Sequence, residues 1–133
     1  MPAYLGRLAM GYIAADDLSA ASDAIAHAMR LASARGERAW DSELRRIEGM
    51  IALKQGRTDK AEHAFRAAIE IAQAQEAKSW ELRAATSLAG FLADHGQRQE
   101  AHALLAPVYG WFTEGFDTAD LKKAKALIAR LAV

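Results

Sequence analysis

The chain has 133 residues, enough for one domain whose core needs no covalent cross-link. It contains no cysteine, which excludes disulfides and thiolate metal sites and suits a reducing cytoplasm. Lysine plus arginine and aspartate plus glutamate each number 17, so the charge balance gives no reason to expect nucleic acid or a membrane surface as partner. Uncharged runs such as residues 84–93 are far shorter than the roughly 18 apolar residues of a membrane span.

The first part of the chain predicts two helices. One runs from about Pro2 to Ala15, because proline is tolerated in a first turn and apolar residues follow at helical spacing. Asp16 or Asp17 then caps a second helix, which Gly36 ends in a left-handed conformation. The apolar positions of this pair are Tyr4, Leu5, Leu8, Ala9, Tyr12 and Ile13, then Leu18, Ala21, Ile25, Ala28, Met29 and Ala32.

A second pair follows the same plan. Its first helix runs from about Arg38 to Lys54 and ends at Gly56, and Thr58 or Asp59 caps the next helix. Helices joined by so short a turn pack antiparallel. The apolar positions are Trp40, Leu44, Ile47, Ile51 and Leu53, then Ala61, Ala64, Phe65, Ala68, Ile69 and Ala72.

A third pair begins at Ser79, a predicted N-cap, and its first helix ends at Asp94 before a glycine turn. Pro107 lies well inside the next helix, so we expect a kink or an early end there. Four aromatic residues come next, and we interpret them as the seat of the last helix rather than as a ligand pocket. They are Tyr109, Trp111, Phe112 and Phe116.

The sequence of the last helix indicates that this helix closes one end of the helical array. Asp117 is its expected N-cap, and the helix turns an apolar side inward and a polar side to solvent. The inward residues are Leu121, Ala124, Ile128 and Leu131, and the solvent-facing ones are Lys122, Lys123 and Lys125.

A shift of 40 residues superimposes Trp40 on Trp80 and Gly56 on Gly96 without a gap, which indicates stacked repeats. We expect both tryptophans to be wedged between units. The fold class predicted is therefore all-α: three antiparallel helix pairs in an α-solenoid (residues 2–36, 37–76 and 77–116) and a capping helix (117–131), all in one domain.

Within each unit, small and bulky residues recur at fixed offsets of 12, 16 and 19 from the first. Small residues at the first two positions let the paired backbones approach closely. The sets are Ala9, Ala21, Ile25 and Ala28; Gly49, Ala61, Phe65 and Ala68; and Ala89, Ala101, Leu105 and Val108.

This spacing resembles the tetratricopeptide pattern, although these units are six residues longer than the usual 34 and lack its helix A tryptophan and terminal proline. Residues 77–89 and 105–117 resemble the tetratricopeptide-like C-terminal region of bacterial signalling proteins. Such proteins combine a cyclase or DNA-binding domain with an ATPase of the maltose-regulator type. The resemblance implies a cytoplasmic module that senses a partner or restrains a neighbouring domain.

No enzymatic site is expected. The chain has no phosphate-binding Gly-rich loop and no paired metal-binding aspartates of a cyclase. It also lacks a strained serine elbow and an apolar pocket around paired carboxylates. The histidines, His27, His63, His95 and His102, lack metal-ligand spacing. We expect no cofactor and no metal.

The resemblance places candidate partner-binding residues on the inner face of the first helix of units two and three. They are Glu43, Arg46, Met50 and Lys54, and Arg83, Thr86, Gly90 and Asp94. Their mixed charge suits a protein or peptide segment, or a neighbouring domain; the alternative is a face that is merely solvated.

A second hypothesis is self-assembly. The apolar side of the first helix, with Tyr4, Leu5, Leu8 and Tyr12, has no preceding repeat to cover it, and uncovered apolar patches tend to find partners.

Overall fold

The structure, a computed structural model, describes residues 2–36 and 38–132, and within residues 2–6 and at residue 35 it describes the backbone alone. The regular structure in these ranges is entirely α-helical, as predicted. None of the described helices is both long and apolar enough to traverse a membrane. The helices are α1 (Pro2–Ala14), α2 (Leu18–Arg35), α3 (Asp41–Lys54), α4 (Thr58–Ala74), α5 (Lys78–Asp94), α6 (Arg98–Gly110) and α7 (Ala119–Leu131).

The helices form two layers. Each helix packs against the next, and each odd-numbered helix also packs against the next odd one: α1 on α3, α3 on α5 and α5 on α7. In the described ranges, the even helices α2, α4 and α6 do not approach one another in this way. The odd helices therefore make a continuous inner layer, and the even helices lie outside it with their backbones farther apart, as expected of helix pairs stacked side by side.

Left-handed residues close the first five helices at a spacing of twenty. They are Asp16 (φ 61°), Gly36 (φ 68°), Gly56 (φ 77°), Glu76 (φ 55°) and Gly96 (φ 80°). In four of these turns the following residue donates its N–H to a carbonyl five residues back, as Arg57 does to Ala52 at 2.9 Å. That residue is also the N-cap of the next helix, so only three residues separate the two helices.

The geometry of this turn explains why one helix cap was predicted correctly from the sequence and others were not. Asp17 caps α2 through its carboxylate, which accepts the N–H of Ala20 at 3.1 Å. The caps predicted for α4 and α5 were wrong, because the turn places Arg57 and Ala77 at the N-cap positions. Neither makes a side-chain capping bond, and Thr58, Asp59 and Ser79 lie inside the first turns instead.

Two other boundaries also differ from expectation. Helix α3 begins at Asp41, three residues after the predicted start, with Trp40 at its N-cap. The cap of α7 is Thr118 and not Asp117; its hydroxyl accepts the N–H of Leu121 at 3.4 Å. Helix α6 ends at Gly110, three residues after Pro107, which is the early end expected of an interior proline.

The core consists of two clusters that share α3. One joins α1, α2 and the α3 residues Leu44, Ile47 and Ile51, and the other joins α3 through α7. Gly49 shows why small residues recur: a Cβ there would lie 2.6 Å from Phe65 Cε1. The predicted contact positions of all three units are buried, except that Val108 is half-buried.

Helix α7 closes one end of the stack. It buries Leu121, Ala124, Leu127 and Leu131, while Ile128, predicted to be inward, is half-buried. The three predicted solvent-facing lysines are exposed.

Candidate functional site

A groove crosses the inner layer and receives side chains from all four odd helices. Its cavity measures about 270 Å³ and is open to solvent. Met10 of α1, Arg46 and Met50 of α3, Arg83, Thr86 and Ser87 of α5, and Asp120 and Lys123 of α7 line it. We call this the inner groove.

Arg83 lies at its centre and links three helices. Its guanidinium donates to both carboxylate oxygens of Asp120 on α7, at 2.8 and 3.2 Å, and its Nη1 donates to Glu43 on α3 at 2.8 Å. The guanidinium carbon also lies 5.1 Å from the ring centroid of Trp80. Two-point pairing and ring contact fix the orientation of this side chain more than either carboxylate would alone.

Arg46 extends the network along α3. It donates to both oxygens of Glu43, at 2.6 and 3.0 Å, and it reaches the Ser87 hydroxyl across the groove at 3.4 Å. The Arg46 and Glu43 side chains are only 11% and 13% exposed, so this ion pair is largely shielded from solvent. We call Glu43, Arg46, Arg83 and Asp120 the inner charge network; it contains two cations and two anions.

Burial lowers the pKa of Arg83, but the hydrogen bonds and charges of Asp120 and Glu43 outweigh burial and raise this pKa above its ordinary value. Arg83 therefore remains charged at every pH of physiological interest.

The structure brings most of the predicted inner-face residues together. Glu43, Arg46, Met50, Arg83 and Thr86 lie in or against the inner groove. The Thr86 hydroxyl donates to the Leu82 carbonyl of its own helix at 2.7 Å.

Three predicted inner-face residues lie elsewhere. Lys54 and Asp94 are exposed at the last residues of α3 and α5, and neither lines the groove. Gly90 is half-buried and does not line it either.

Four residues of the groove were missed from the sequence: Met10, Ser87, Asp120 and Lys123. The period of 40 would have found two of them. Lys123 follows Arg83 by 40 residues and Glu43 by 80, and Met10 precedes Met50 by 40. Asp120 was missed because the last helix was interpreted as a cap alone, whereas α7 also occupies the place of a fourth inner helix.

The four aromatic residues at and after the end of α6 fall into two pairs, one half-buried and one exposed. Tyr109 and Phe112 are half-buried against the core, as expected. Trp111 and Phe116 are 58% and 46% exposed, so the expectation that they belong to the core was wrong. The turn at Gly115 and the early end of α6 leave residues 111–118 outside the helical layers.

The side of α1 proposed for self-assembly is partly covered. Leu8 and Tyr12 are half-buried and pack on the first core cluster. The side chains of Tyr4 and Leu5 lie outside the described part of the structure.

No group of three histidine, aspartate or glutamate side chains among the described residues is arranged to hold a metal ion. Of the histidines, His95 stacks on Phe91 with centroids 4.3 Å apart, and its Nδ1 lies 2.8 Å from the Phe91 carbonyl oxygen. This position belongs to the end of α5, since His95 is its C-cap.

Comparison with protein-family models, curated proteins and solved structures finds no match for the chain. The function proposed for the chain therefore rests on the geometry and side-chain chemistry described above.

Proposed function

We propose that the chain is a non-catalytic, tetratricopeptide-like interaction module of a larger cytoplasmic bacterial signalling or transcriptional regulator. It binds a polypeptide segment, from another protein or from a neighbouring domain of its parent, in the inner groove. The observation that carries the proposal is that one groove collects side chains from α1, α3, α5 and α7. A surface that crosses successive helices suits an extended chain better than a compact ligand.

The chemistry of the groove also favours a polypeptide. Met10 and Met50 offer flexible apolar contacts, and methionine adapts to partners of different shape. The inner charge network holds its hydrogen-bonding groups in place before binding, which lowers the entropy lost on association. At about 270 Å³ the open cavity is smaller than the pockets of roughly 300–1,000 Å³ that bury small molecules.

The proposal is tested by selecting peptides from a displayed random library on the immobilised protein. Selected peptides are then titrated by fluorescence anisotropy against the wild type and Arg83→Met. We expect the substitution to weaken binding by roughly tenfold or more, because it removes a central groove residue and leaves Asp120 without its guanidinium partner.

Arg66→Met is the matched control. Arg66 also bridges two carboxylates, donating to Glu62 at 2.9 Å and to Glu100 at 3.0 Å, but it lies on the outer helix α4. Its substitution removes the same charge and the same number of ion-pair partners, and it should leave peptide affinity unchanged. If the library yields no binder, or if both variants weaken binding equally, the inner groove is not the binding surface.

A further inference from the structure

A second cavity lies away from the inner groove, where the ends of α4 and α6 meet the start of α5. It measures about 700 Å³, and Glu76, Lys78, Ser79, Glu81, Trp111 and Phe112 are among its lining residues. We call it the outer notch. Its counterpart forty residues earlier is a cavity of about 420 Å³ lined by Arg38, Asp41 and Ile71 among others. The notch therefore recurs at the two junctions between successive units.

Two of the differences between the outer notch and its counterpart are locally unfavourable. Trp111 replaces Ile71 and leaves a large aromatic side chain 58% exposed. Glu76 replaces Gly36 at a left-handed position, with φ 55°, which an L side chain adopts at a cost of roughly 1–2 kcal/mol. Two such departures at one notch point to a role outside folding.

The contacts of Lys78 within the notch indicate which kind of ligand the notch can bind. The Lys78 ammonium lies 5.6 Å from the Trp111 ring centroid and 3.1 Å from the Glu81 carboxylate. Gln73 donates to the other Glu81 oxygen at 3.2 Å, so Glu81, whose side chain is 6% exposed, is fully partnered. An aromatic face beside a carboxylate is an environment that stabilises a cation.

Glu76 is the second carboxylate of the notch. The carboxylate of Glu76 is exposed and forms no ion pair with any residue in ranges 2–36 and 38–132. The lining therefore carries two carboxylates against the single ammonium of Lys78, and its net charge is negative. An exposed indole ring and an exposed carboxylate that line one cavity match the guanidinium of arginine, which stacks on rings and pairs with carboxylates in one plane.

We propose that the outer notch binds a basic segment of a partner polypeptide, through an arginine side chain that stacks on Trp111 and pairs with Glu76. This surface is separate from the inner groove, and the two bind independently.

The test uses fluorescein-labelled peptides of alternating glycine with arginine, serine or glutamate, titrated by fluorescence anisotropy. The arginine peptide should bind at least tenfold more tightly than the other two. Trp111→Ala should weaken it roughly three- to tenfold, and Glu76→Gln roughly two- to fivefold. The indole N–H resonance of Trp111 should shift on binding, while those of Trp40 and Trp80 stay in place.

Glu76→Gly distinguishes a binding role from a structural one. It relieves the left-handed strain, so the melting temperature should rise by about 2–4 °C while affinity for the arginine peptide falls. Glu114→Gln is the control, since it removes one exposed carboxylate from the loop that carries Trp111 and should change neither quantity.

Several results would overturn the proposal: no binding of the arginine peptide at millimolar concentration, unchanged affinity in Trp111→Ala, or equal binding of the serine peptide. Equally tight binding of N-acetylarginine amide would overturn the assignment to a polypeptide segment. Loss of arginine-peptide binding in Arg83→Met with no change in Trp111→Ala would place the peptide in the inner groove, overturning this site while leaving the proposed function intact.

Discussion

Gly49 is the point of closest approach between α3 and α4. A Cβ there would lie 2.6 and 2.7 Å from two ring atoms of Phe65 and 3.2 Å from the Ala61 carbonyl oxygen. Since Phe65 is 1% exposed and has no free space to enter, Gly49→Ala should destabilise the protein by about 1–3 kcal/mol in urea unfolding. Gly90→Ala is the control, because no atom lies within 4 Å of its added Cβ, and it should be neutral or stabilising by up to about 1 kcal/mol.

The third unit suggests how to rescue this variant. It has Ala89 and Leu105 where the second unit has Gly49 and Phe65. The double variant Gly49→Ala with Phe65→Leu should therefore be more stable than the sum of its single changes predicts. Strict additivity would show that the methyl group and the ring do not compete for the same space.

Trp40 and Trp80 contact each other edge to face, with centroids 5.3 Å apart and planes at 62°. Both are half-buried, so each alanine substitution should cost about 1–3 kcal/mol, less than the roughly 3–5 kcal/mol of a fully buried tryptophan. A double-mutant cycle should give a coupling of about 1 kcal/mol. Zero coupling would contradict a direct contribution of the ring pair to the junction of units two and three.

For individual residues, the sequence predicted core packing better than it predicted polar contacts. The recurring small residues identified Gly49, Ala61 and Phe65, because steric fit depends on spacing along two adjacent helices. The bonds of Arg83 to Glu43 and Asp120 were not predictable, since they depend on the rotation of three helices about the stack and on side-chain rotamers.

At the scale of helices, α7 differs from α5 on one face. Helix α5 buries Leu82, Ala85, Ala89 and Leu92, whereas the α7 positions forty residues later are the exposed Lys122, Lys125, Ala129 and Ala132. Helix α7 therefore keeps the apolar stripe that packs on the stack and lacks the one that would receive an outer helix.

Lys122→Leu with Lys125→Leu should create an uncovered apolar stripe on α7 and cause concentration-dependent association, measured by light scattering. The double glutamine variant at the same positions removes the charges without adding apolar surface, and it should scatter like the wild type. If the leucine variant also scatters like the wild type, this face does not limit growth of the stack.

Helix ends were predicted better than helix starts. The glycines at 36, 56 and 96 marked the ends correctly, because few other residues adopt positive φ without strain. The starts of α4 and α5 were not predictable from capping preference, since the tight turn places Arg57 and Ala77 at those positions regardless of their side chains.

For the whole molecule, Arg83 should contribute nothing to the pH dependence of stability in the accessible range. Its pKa is raised in the folded state, so its contribution is complete below the pKa of the unfolded chain and is lost only as the pH rises through the folded pKa, well above pH 10. The difference in unfolding free energy between wild type and Arg83→Met should therefore be equal at pH 7 and pH 10. A smaller difference at pH 10 would show that another group controls the network.

Stability should decrease from the centre of the stack to its ends. Helices α3 and α5 each pack against four others, whereas α1 and α7 each pack against two. Amide hydrogen exchange should be slowest in α3 and α5 and fastest in α1 and α7, because terminal helices open without disrupting the rest. Equal protection of α1 and α5 would indicate a single cooperative unit instead.

For the whole molecule, the period of 40 residues was the signal that predicted the fold. Residues that recur at this period, such as Trp40 and Trp80, imply that successive units pack in the same way. The continuation of this period into α7 was not predicted, since exposed residues such as Lys122 and Lys125 are typical of a polar capping helix rather than of a fourth inner helix.

The left-handed turns at every twentieth residue set a constant length for each helix and its connection. Inserting forty residues at one of them would lengthen the array and return every later side chain to its own layer. Inserting twenty would exchange the inner and outer layers for all subsequent helices, so that buried residues such as Leu82 and Leu88 would lose the neighbours they now pack against. Viable length variants of this protein should therefore grow two helices at a time.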